Sequence, residues 1–358
     1  MPLKVVHQAV TERLEILDKD GRADEALVPA LPGEELVRLH KLMLRMRRFD
    51  EKALTLQRQG RMGTWGSLRG QEACQAGLAA NLRREDWLAP SFREHGVMIS
   101  AGVSMHQVYA IWRGDERGHL FPAEVHCLPV SVPVGSQLLH AVGVGMGLGL
   151  RGEKSAVAVG FAGDGASSEG DFHEALNFGG VFKARTLFFI QNNQWAISVP
   201  FRKQTAAATI AQRAHGYGLP GVQVDGNDVL AVYAATRKAL DHVRAGHGPY
   251  LVECLTYRME NHTTADDHTR YRKAEEVAYW RERDPVDRMR RFLAARKLWD
   301  EAREAAYLEE VAAEVEGAVA LLESTPKAPP TDIVDYMYAR RPWFLEEQRA
   351  EIAGRVAP

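Results

Sequence analysis

Two apolar segments, each followed by a polar turn, constrain the fold of this chain more than any other feature. The first covers residues 155–161 and leads to Asp164 between two glycines, and the second covers residues 185–191 and leads to Asn192 and Asn193. A helical stretch lies between them, so the segment has the roughly 30 residues of a βαβ unit. The crossover rule for such units makes the two strands parallel. The pattern therefore predicts that Asp164 and Asn193 lie at the same edge of one sheet.

The alternation of β and α elements continues over residues 70–260 and predicts an α/β fold. The strands are apolar on both faces, which is typical of a mostly parallel sheet with helices on both faces. Further strands are expected at 222–226 and 250–257, and helical segments near 168–180, 206–216 and 227–245. We expect three regions: an N-terminal arm at 1–32 with a short strand and a turn at Asp20–Gly21, an α/β domain with a leading helix at 33–273, and a helical extension at 274–358.

The charge and cysteine content exclude several classes of protein. The 358 residues include 45 Lys and Arg against 47 Asp and Glu, so the net charge of -2 gives no reason to expect binding to nucleic acid or to a membrane surface. The three cysteines, Cys74, Cys127 and Cys254, lie far apart, which argues against a disulfide framework and a zinc ribbon. No apolar run reaches the roughly 20 residues of a membrane span. The N-terminus lacks the pattern of a signal or transit peptide, and we expect a cytoplasmic chain.

The oxygen ligands at the predicted sheet edge indicate a metal site. Neighbouring strands lie about 4.8 Å apart, so Asp164 and Asn193 can reach one small cation. Carboxylate, amide and carbonyl oxygens suit Mg²⁺, or Ca²⁺ in its place, and Mg²⁺ commonly completes its shell with phosphate and water. The loop 163–168 leads into a helix N-terminus, which attracts phosphate. Gly163 and Gly165 would let the backbone approach that ligand. The sequence therefore predicts a magnesium and diphosphate site.

Other interpretations of these glycines remain open at this point. A dinucleotide site would need an acidic residue at the end of the second strand, where this chain has Gln191, Asn192 and Asn193. Asp164 could also be a simple helix cap. The glycine-rich run 143–149 does not match a nucleotide-binding pattern, and we expect it to allow close packing of a helix, including packing between subunits.

The segment from GDG to the Asn pair resembles the thiamine-diphosphate signature, because 26 residues separate GDG from NN. The resemblance extends over nearly the whole chain to the alpha subunits of the decarboxylating component of 2-oxo acid dehydrogenases. It includes the segments RQGRMGTWGSLRGQEA, APSFREHG, QTAAATIAQRAHGYG and DDHTRYR. The bacterial pyruvate type is the most similar, and the branched-chain type follows. The resemblance implies a thiamine-diphosphate-binding fold.

The resemblance also implies ligands for the cofactor, thiamine diphosphate, and for its metal. Asp164, Asn193 and the carbonyl of Trp195 would bind Mg²⁺. Phe92 and Arg93 match an aromatic residue and an arginine that lie beside the diphosphate. A planar guanidinium group can donate two parallel hydrogen bonds to phosphate oxygens. Gly163, Gly165 and Ala166 would contact the diphosphate through their backbone, and Gln191 stands at another phosphate-binding position. Val132 and Val134 would contact the aminopyrimidine. In some relatives, residues at the positions of Ser131, Pro133, Ser136 and Gln137 surround a K⁺ ion.

His262 is the candidate catalytic side chain. It follows the strand 250–257, and Arg258, Asp266 and Asp267 supply charges that could orient its ring and shift its pKa. From the residues alone, a solvated charged loop remains open. The resemblance implies that His262 faces the thiazolium ring and serves acyl transfer to a lipoyl group.

Three neighbours of His262 add to this picture. A metal pair of His262 with His268 is an alternative use of the loop. The resemblance is weaker at Asn261, where relatives often carry Pro or His. Thr263 matches a regulated hydroxyl of mitochondrial relatives, although nothing in the sequence implies a kinase.

The sequence contains a single phosphate-binding domain, and this implies a partner chain. Thiamine chemistry needs a second surface for the aminopyrimidine and a carboxylate that activates it, and the chain has a single phosphate-binding domain. The resemblance implies a beta subunit that supplies the glutamate in an α2β2 tetramer, together with a lipoyl-bearing acyltransferase. We expect oxidative decarboxylation of a small 2-oxo acid, pyruvate first and a branched-chain 2-oxo acid second. An inactive scaffold subunit and a nicotinamide oxidoreductase are the alternatives from other classes.

Overall fold

The computed structural model describes residues 3–356, and its centre is a six-stranded sheet in which every neighbouring pair is parallel. The strand order is β1-β7-β8-β4-β3-β2, and a two-stranded antiparallel hairpin, β5-β6, follows β4. The predicted α/β class with a parallel sheet is therefore confirmed. The strands are β1 Glu12–Leu14, β2 Trp87–Ala89, β3 Ala158–Gly163, β4 Thr186–Asn192, β5 Trp195–Ala196, β6 Val199–Pro200, β7 Gly221–Asp225 and β8 Tyr250–Leu255.

Twelve helices are found among the described residues. They are α1 Gly33–Arg58, α2 Glu72–Ala79, α3 His95–Ser100, α4 Met105–Arg113, α5 Ser136–Leu150, α6 Gly170–Phe182, α7 Val229–Arg244, α8 Ala274–Arg281, α9 Pro285–Ala295, α10 Glu301–Ser324, α11 Asp332–Asp335 and α12 Trp343–Val356. Within residues 3–356, no helix combines the length and the apolarity that crossing a bilayer requires.

The side chains of β4 explain why this strand is apolar on both faces. Leu187 and Phe189 belong to a hydrophobic cluster that includes residues of α1, α4, α7 and α10. Phe188 and Ile190 alternate with them and belong to a different cluster, which includes residues of α5 and α6. Because successive side chains of a strand point to opposite faces, the sheet is covered by helices on both sides. This burial fixes the strand, and it places the carboxyl ends of β3 and β4 side by side.

The N-terminal arm is fastened to the α/β region by a buried carboxylate. β1 is the short strand that we expected in the arm, and it extends the sheet beside β7. Asp228 caps α7 through the backbone N–H groups of its first turn and also accepts the N–H groups of Ile16 and Leu17 at 2.7 and 2.6 Å. The expected turn is present, with Gly21 at a φ of 81°. At the other end, the predicted helical extension contains α8 to α12, and α10 packs back on α1 and α4.

One local prediction is wrong, and one strand was missed. The helix expected at 206–216 is only a 3-10 helix at Ala211–Tyr217. The buried Glu253 carboxylate accepts the N–H of Ala211 at 2.9 Å, and Gly218 ends the segment in the left-handed region, so this connection never forms a full α-helix. The three-residue strand β2 was not expected, because so short a segment carries no clear periodicity.

The glycine-rich run lies within α5, where one of its glycines allows close packing on a strand, and packing of the run between subunits stays a prediction. A Cβ atom on Gly145 would lie 2.3 Å from the Thr186 hydroxyl at the start of β4, so this glycine lets α5 approach a strand. Gly143, Gly147 and Gly149 face open space within the described chain. The requirement for glycine is therefore explained at one position of the run.

Candidate active site

A cavity of about 360 Å³ lies at the carboxyl ends of β3 and β4. In parallel sheets of this kind, ligands bind at this edge. All twelve residues predicted to bind the cofactor or metal or to act in catalysis contribute to its lining, and so does Thr263. The twelve are Phe92, Arg93, Val132, Val134, Gly163, Asp164, Gly165, Ala166, Gln191, Asn193, Trp195 and His262.

Asp164 is a buried carboxylate that forms no salt bridge within residues 3–356. It follows β3 directly, next to the point where Gly163 pairs with Gln191, and its exposed fraction is 1%. Burial raises its pKa to about 6, although a hydrogen bond from Gln204 works in the opposite direction. Asp164 does not cap α6, because that helix begins at Gly170 with Glu169 at its N-cap position. An unpaired buried carboxylate of this kind fits a bound cation.

Asn193 and Trp195 bring further oxygen atoms toward Asp164. The backbone N–H of Asn193 lowers the pKa of Asp164, which shows that the two residues are neighbours. The Asn193 side-chain oxygen accepts the Trp195 N–H at 3.4 Å, and the Trp195 carbonyl accepts from Arg258 Nη1 at 3.2 Å. Residues 3–356 contain no cluster of three or more His, Cys, Asp or Glu side chains suited to a metal. A cation at this edge would therefore depend on amide and carbonyl oxygens, which suit Mg²⁺.

The backbone after Asp164 makes a tight turn against the β5-β6 hairpin. Asp164–Ser168 forms a 3-10 helix, and a Cβ atom on Gly165 would lie 2.9 Å from the Cβ atom of Ala196. Only glycine leaves room for the hairpin at this distance. The turn thus presents the backbone of Gly165 and Ala166 at the cavity.

Arg93 provides the positive counterpart of Asp164. Its guanidinium is buried, donates to the Ser67 carbonyl at 2.8 Å and contacts His262 Nδ1 at 3.1 Å. Burial and the nearby Arg258 lower the pKa of Arg93 to about 9. Arg93 forms no ion pair within the part of the chain that the structure describes. The centre of the Phe92 ring lies 5.1 Å from the Arg93 guanidinium carbon, so the two side chains are adjacent. This arrangement suits an anionic ligand.

Gln191 is held by a buried carboxylate that the sequence reasoning missed. Its Nε2 atom donates to Glu94 Oε1 at 2.8 Å. The other oxygen of Glu94 accepts the backbone N–H groups of Ser91 and Arg93 at 2.9 and 3.2 Å. Glu94 therefore ties the Arg93 loop to the end of β4. Its position in the segment SFREHG, directly after Arg93, was the available signal.

His262 is neutral and has a defined tautomer. Burial, together with the guanidinium groups of Arg93 and Arg258, lowers the pKa of His262 to about 4. Since both guanidinium groups can only donate, Nδ1 accepts from Arg93, and the ring proton resides on Nε2. The expected charge at Asp266 acts on the backbone, where it accepts the His262 N–H at 2.8 Å.

The alternative His262–His268 metal pair is not formed. The ring of His268 contacts the side-chain oxygen of Asn261, whereas the ring of His262 contacts Arg93. Tyr271, which the sequence reasoning also missed, donates to Asp266 and accepts from Arg258 Nη2 at 2.8 Å. These contacts give the loop around His262 a specific conformation and replace the interpretation of a freely solvated loop.

The segment 131–137 lines the open side of the cavity. Val132 and Val134 are 58% and 47% exposed, so their side chains face solvent. The carbonyl groups of two residues predicted near K⁺, Ser131 and Pro133, already have donors from the chain itself. Gln137 donates to both, and the Ser136 hydroxyl donates to Pro133 at 2.8 Å. Among the four predicted K⁺ residues, Gln137 alone lines the cavity.

Comparison with known proteins assigns the chain to a family. The model of the family described as "Dehydrogenase E1 component" matches residues 40–331. The chain is 44% identical over 351 residues to the 3-methyl-2-oxobutanoate dehydrogenase subunit alpha of Mycobacterium tuberculosis, an alignment that covers 97% of this chain and 95% of the relative. It is 42% identical over 343 residues to the pyruvate dehydrogenase E1 component subunit alpha of Staphylococcus aureus, covering 95% and 92%. The Staphylococcus epidermidis subunit of the same description is 43% identical over 343 residues. With relatives this similar over almost its full length, the chain belongs to the dehydrogenase E1 component family, among the alpha subunits of 2-oxo acid dehydrogenases.

Proposed function

We propose that this chain is the alpha subunit of a thiamine-diphosphate-dependent enzyme that oxidatively decarboxylates a 2-oxo acid. The observation that carries the proposal is the meeting of two unpaired charges, Asp164 and Arg93, with His262 on one cavity. A bound cation would stabilise the buried carboxylate, and a bound anion would stabilise the buried guanidinium. A magnesium diphosphate supplies both charges at once.

Each group at the sheet edge then has a binding role. Asp164, the Asn193 side-chain oxygen and the Trp195 carbonyl would hold Mg²⁺. Arg93 would bind diphosphate oxygens, with the backbone of Gly165 and Ala166 beside them. When bound, the cofactor supplies a ring that accepts the electron pair released as carbon dioxide leaves.

His262 would act on the substrate side of the cavity. Its Nδ1 atom is occupied by Arg93, so Nε2 is the atom that can donate a hydrogen bond to a reacting oxygen. The low pKa keeps the ring neutral near pH 7, so His262 would act as a hydrogen-bond donor at Nε2 and keep its proton, since loss of that proton would leave an imidazolate anion in the cavity. We assign His262 to intermediate formation and to acyl transfer onto the lipoyl arm of an acyltransferase.

A beta subunit would complete the site. The exposed Val132 and Val134 leave the expected aminopyrimidine side of the cavity uncovered within this chain, which supports a second chain there. The Glu94 carboxylate is occupied by three donors and is unsuited to activating the aminopyrimidine. We therefore assign the activating glutamate to the beta subunit of an α2β2 tetramer and expect the purified alpha chain to be inactive alone.

Pyruvate is the substrate that we propose first, with support from the staphylococcal relatives. The mycobacterial relative, whose name specifies 3-methyl-2-oxobutanoate, supports a branched-chain 2-oxo acid as the second candidate. The test is coexpression with the beta subunit and measurement of kcat/KM for both acids with a lipoyl acceptor. Turnover of pyruvate above that of 3-methyl-2-oxobutanoate supports the first assignment, the reverse order replaces it with the second, and turnover of neither acid contradicts the proposed function.

A further inference from the structure

The side chain of Gln204 contacts the proposed metal ligand Asp164 from outside the cavity lining. Gln204 follows the β5-β6 hairpin, and its Nε2 atom lies 2.6 Å from Asp164 Oδ2. The same nitrogen donates to the Val199 carbonyl of β6 at 3.0 Å. The amide therefore connects one oxygen of the carboxylate to the hairpin and leaves the other carboxylate oxygen free of this contact.

The orientation of the Gln204 amide is determined by its neighbours. A flipped amide would place Oε1 against both the Asp164 carboxylate and the Val199 carbonyl, which are acceptors only. In the observed orientation Oε1 is buried and has no hydrogen-bond partner among residues 3–356. A buried acceptor without a donor beside a carboxylate suits a water molecule of a hydrated cation, because Mg²⁺ usually keeps several of its waters. Gln204 thus uses its donor on the carboxylate and keeps its acceptor available.

The hairpin gives Gln204 a second connection to the same site. Trp195, whose carbonyl is a proposed metal ligand, lies in β5 and pairs with Pro200 of β6. The Phe201 N–H closes the hairpin on the Gln194 carbonyl at 2.9 Å, and the Gln204 N–H then bonds the Phe201 carbonyl at 2.9 Å. One short segment therefore carries the carbonyl ligand and the amide that contacts the carboxylate ligand.

We propose that Gln204 is a positioning residue that fixes the Asp164 carboxylate in the orientation that binds the divalent cation. The inference rests on the cation site proposed above. Residues that orient metal ligands in this way commonly change metal affinity by about 10–100-fold when they are replaced.

The test compares Gln204→Met with Lys203→Met in the full chain copurified with its beta subunit. Gln204→Met keeps the length of the side chain and removes its hydrogen bonds, whereas Lys203 is an exposed neighbour that receives the same replacement. The affinity for Mn²⁺ is measured by electron paramagnetic resonance in the presence of thiamine diphosphate. We expect Gln204→Met to raise the Kd for Mn²⁺ by about 10–100-fold and Lys203→Met to leave it within about twofold.

A second pair of variants tests the contact without metal or cofactor. Gln204→Glu replaces the hydrogen bond to Asp164 with a second carboxylate at the same position, where the two negative charges would repel each other. We expect it to lower the Tm of the apo protein by about 2 °C or more, while Lys203→Glu leaves it unchanged.

The outcomes separate the two proposals. If wild-type protein binds Mn²⁺ and Gln204→Met binds it equally well, the positioning role is wrong and the cation site stands. An unchanged Tm for Gln204→Glu also overturns the positioning role. If wild-type protein with thiamine diphosphate fails to bind Mn²⁺, the proposed cation site fails, and the role of Gln204 fails with it.

Discussion

Two regions of the molecule bury charged side chains, and they treat them in opposite ways. Where α1, α2 and α9 meet, Arg47 donates to Glu72 at 2.8 Å and to Asp284 at 2.9 Å. At the sheet edge, Asp164 and Arg93 are both buried, yet neither forms an ion pair among the described residues. The first region resembles a closed network, whereas the second leaves a carboxylate and a guanidinium without counterions.

The pKa values express the same difference. The carboxylates of Glu72 and Asp284 raise the pKa of Arg47, while burial lowers that of Arg93 to about 9. Burying an unpaired charge costs several kcal/mol unless a partner arrives. We infer that the paired charges stabilise the fold, whereas the unpaired charges prepare the site for a ligand that carries both a positive and a negative charge.

Replacement of the unpaired carboxylate should give the largest effect. Asp164→Asn keeps the shape of the side chain but removes the charge that a cation needs. We expect the affinity for thiamine diphosphate in the presence of Mg²⁺ to fall by more than about 100-fold, as measured by calorimetry on the assembled enzyme. Unchanged affinity would show that the cation is held elsewhere.

Replacement of the paired arginine should damage the fold and leave the chemistry of the site in place. Arg47→Met leaves Glu72 buried without its partner, and breaking such a pair costs about 3–5 kcal/mol. We expect the free energy of unfolding to fall by that amount in chemical denaturation, with cofactor affinity of the folded fraction retained. A loss below about 1 kcal/mol would remove the distinction between the two regions.

In the metal-free protein, replacement of Asp164 should have the opposite effect and stabilise the fold. Because burial raises the pKa of Asp164 to about 6, the folded state holds its proton more tightly than the unfolded state, and wild-type stability falls as pH rises from about 4 through 6. Asp164→Asn lacks this dependence, so at pH 7.5 we expect it to stabilise the metal-free protein by about 3 kcal/mol. The difference should vanish near pH 4. A destabilised Asp164→Asn apo protein at pH 7.5 would contradict this account.

The smallest predicted effect concerns the neutral histidine at the same site. His262→Ala should retain cofactor binding, because Arg93 and Asp164 remain. Transfer of the acyl group to a lipoyl acceptor should fall by at least about tenfold, because the variant lacks the hydrogen-bond donor at Nε2. The measurement is the transfer rate at saturating 2-oxo acid, and a wild-type rate would exclude His262 from that step.

Local sequence patterns predicted the frame of the site well. Apolar segments of β3 and β4 with a helix between them placed Asp164 and Asn193 at one edge, and the structure confirms that both line the cavity. The prediction worked because burial on both faces of a strand and the crossover rule are determined within about 40 consecutive residues.

The supporting residues could not be predicted in the same way. Gln204 is 40 positions from Asp164, and Glu94 is 97 positions from Gln191, so their roles depend on how distant segments meet. The segment 206–216 shows a similar limit, because the carboxylate of Glu253, from a different strand, bonds the backbone there. Such contacts follow from tertiary packing, which periodicity does not report.

The proposed cation site can be tested directly by a crystal structure of the assembled enzyme with Mn²⁺ and thiamine diphosphate, with anomalous diffraction used to locate the metal. We expect one anomalous peak at coordination distance from Asp164, the Asn193 side-chain oxygen, the Trp195 carbonyl and a diphosphate oxygen, with Arg93 on the same diphosphate. A diphosphate bound at this edge without metal, or a metal peak away from Asp164, would contradict it.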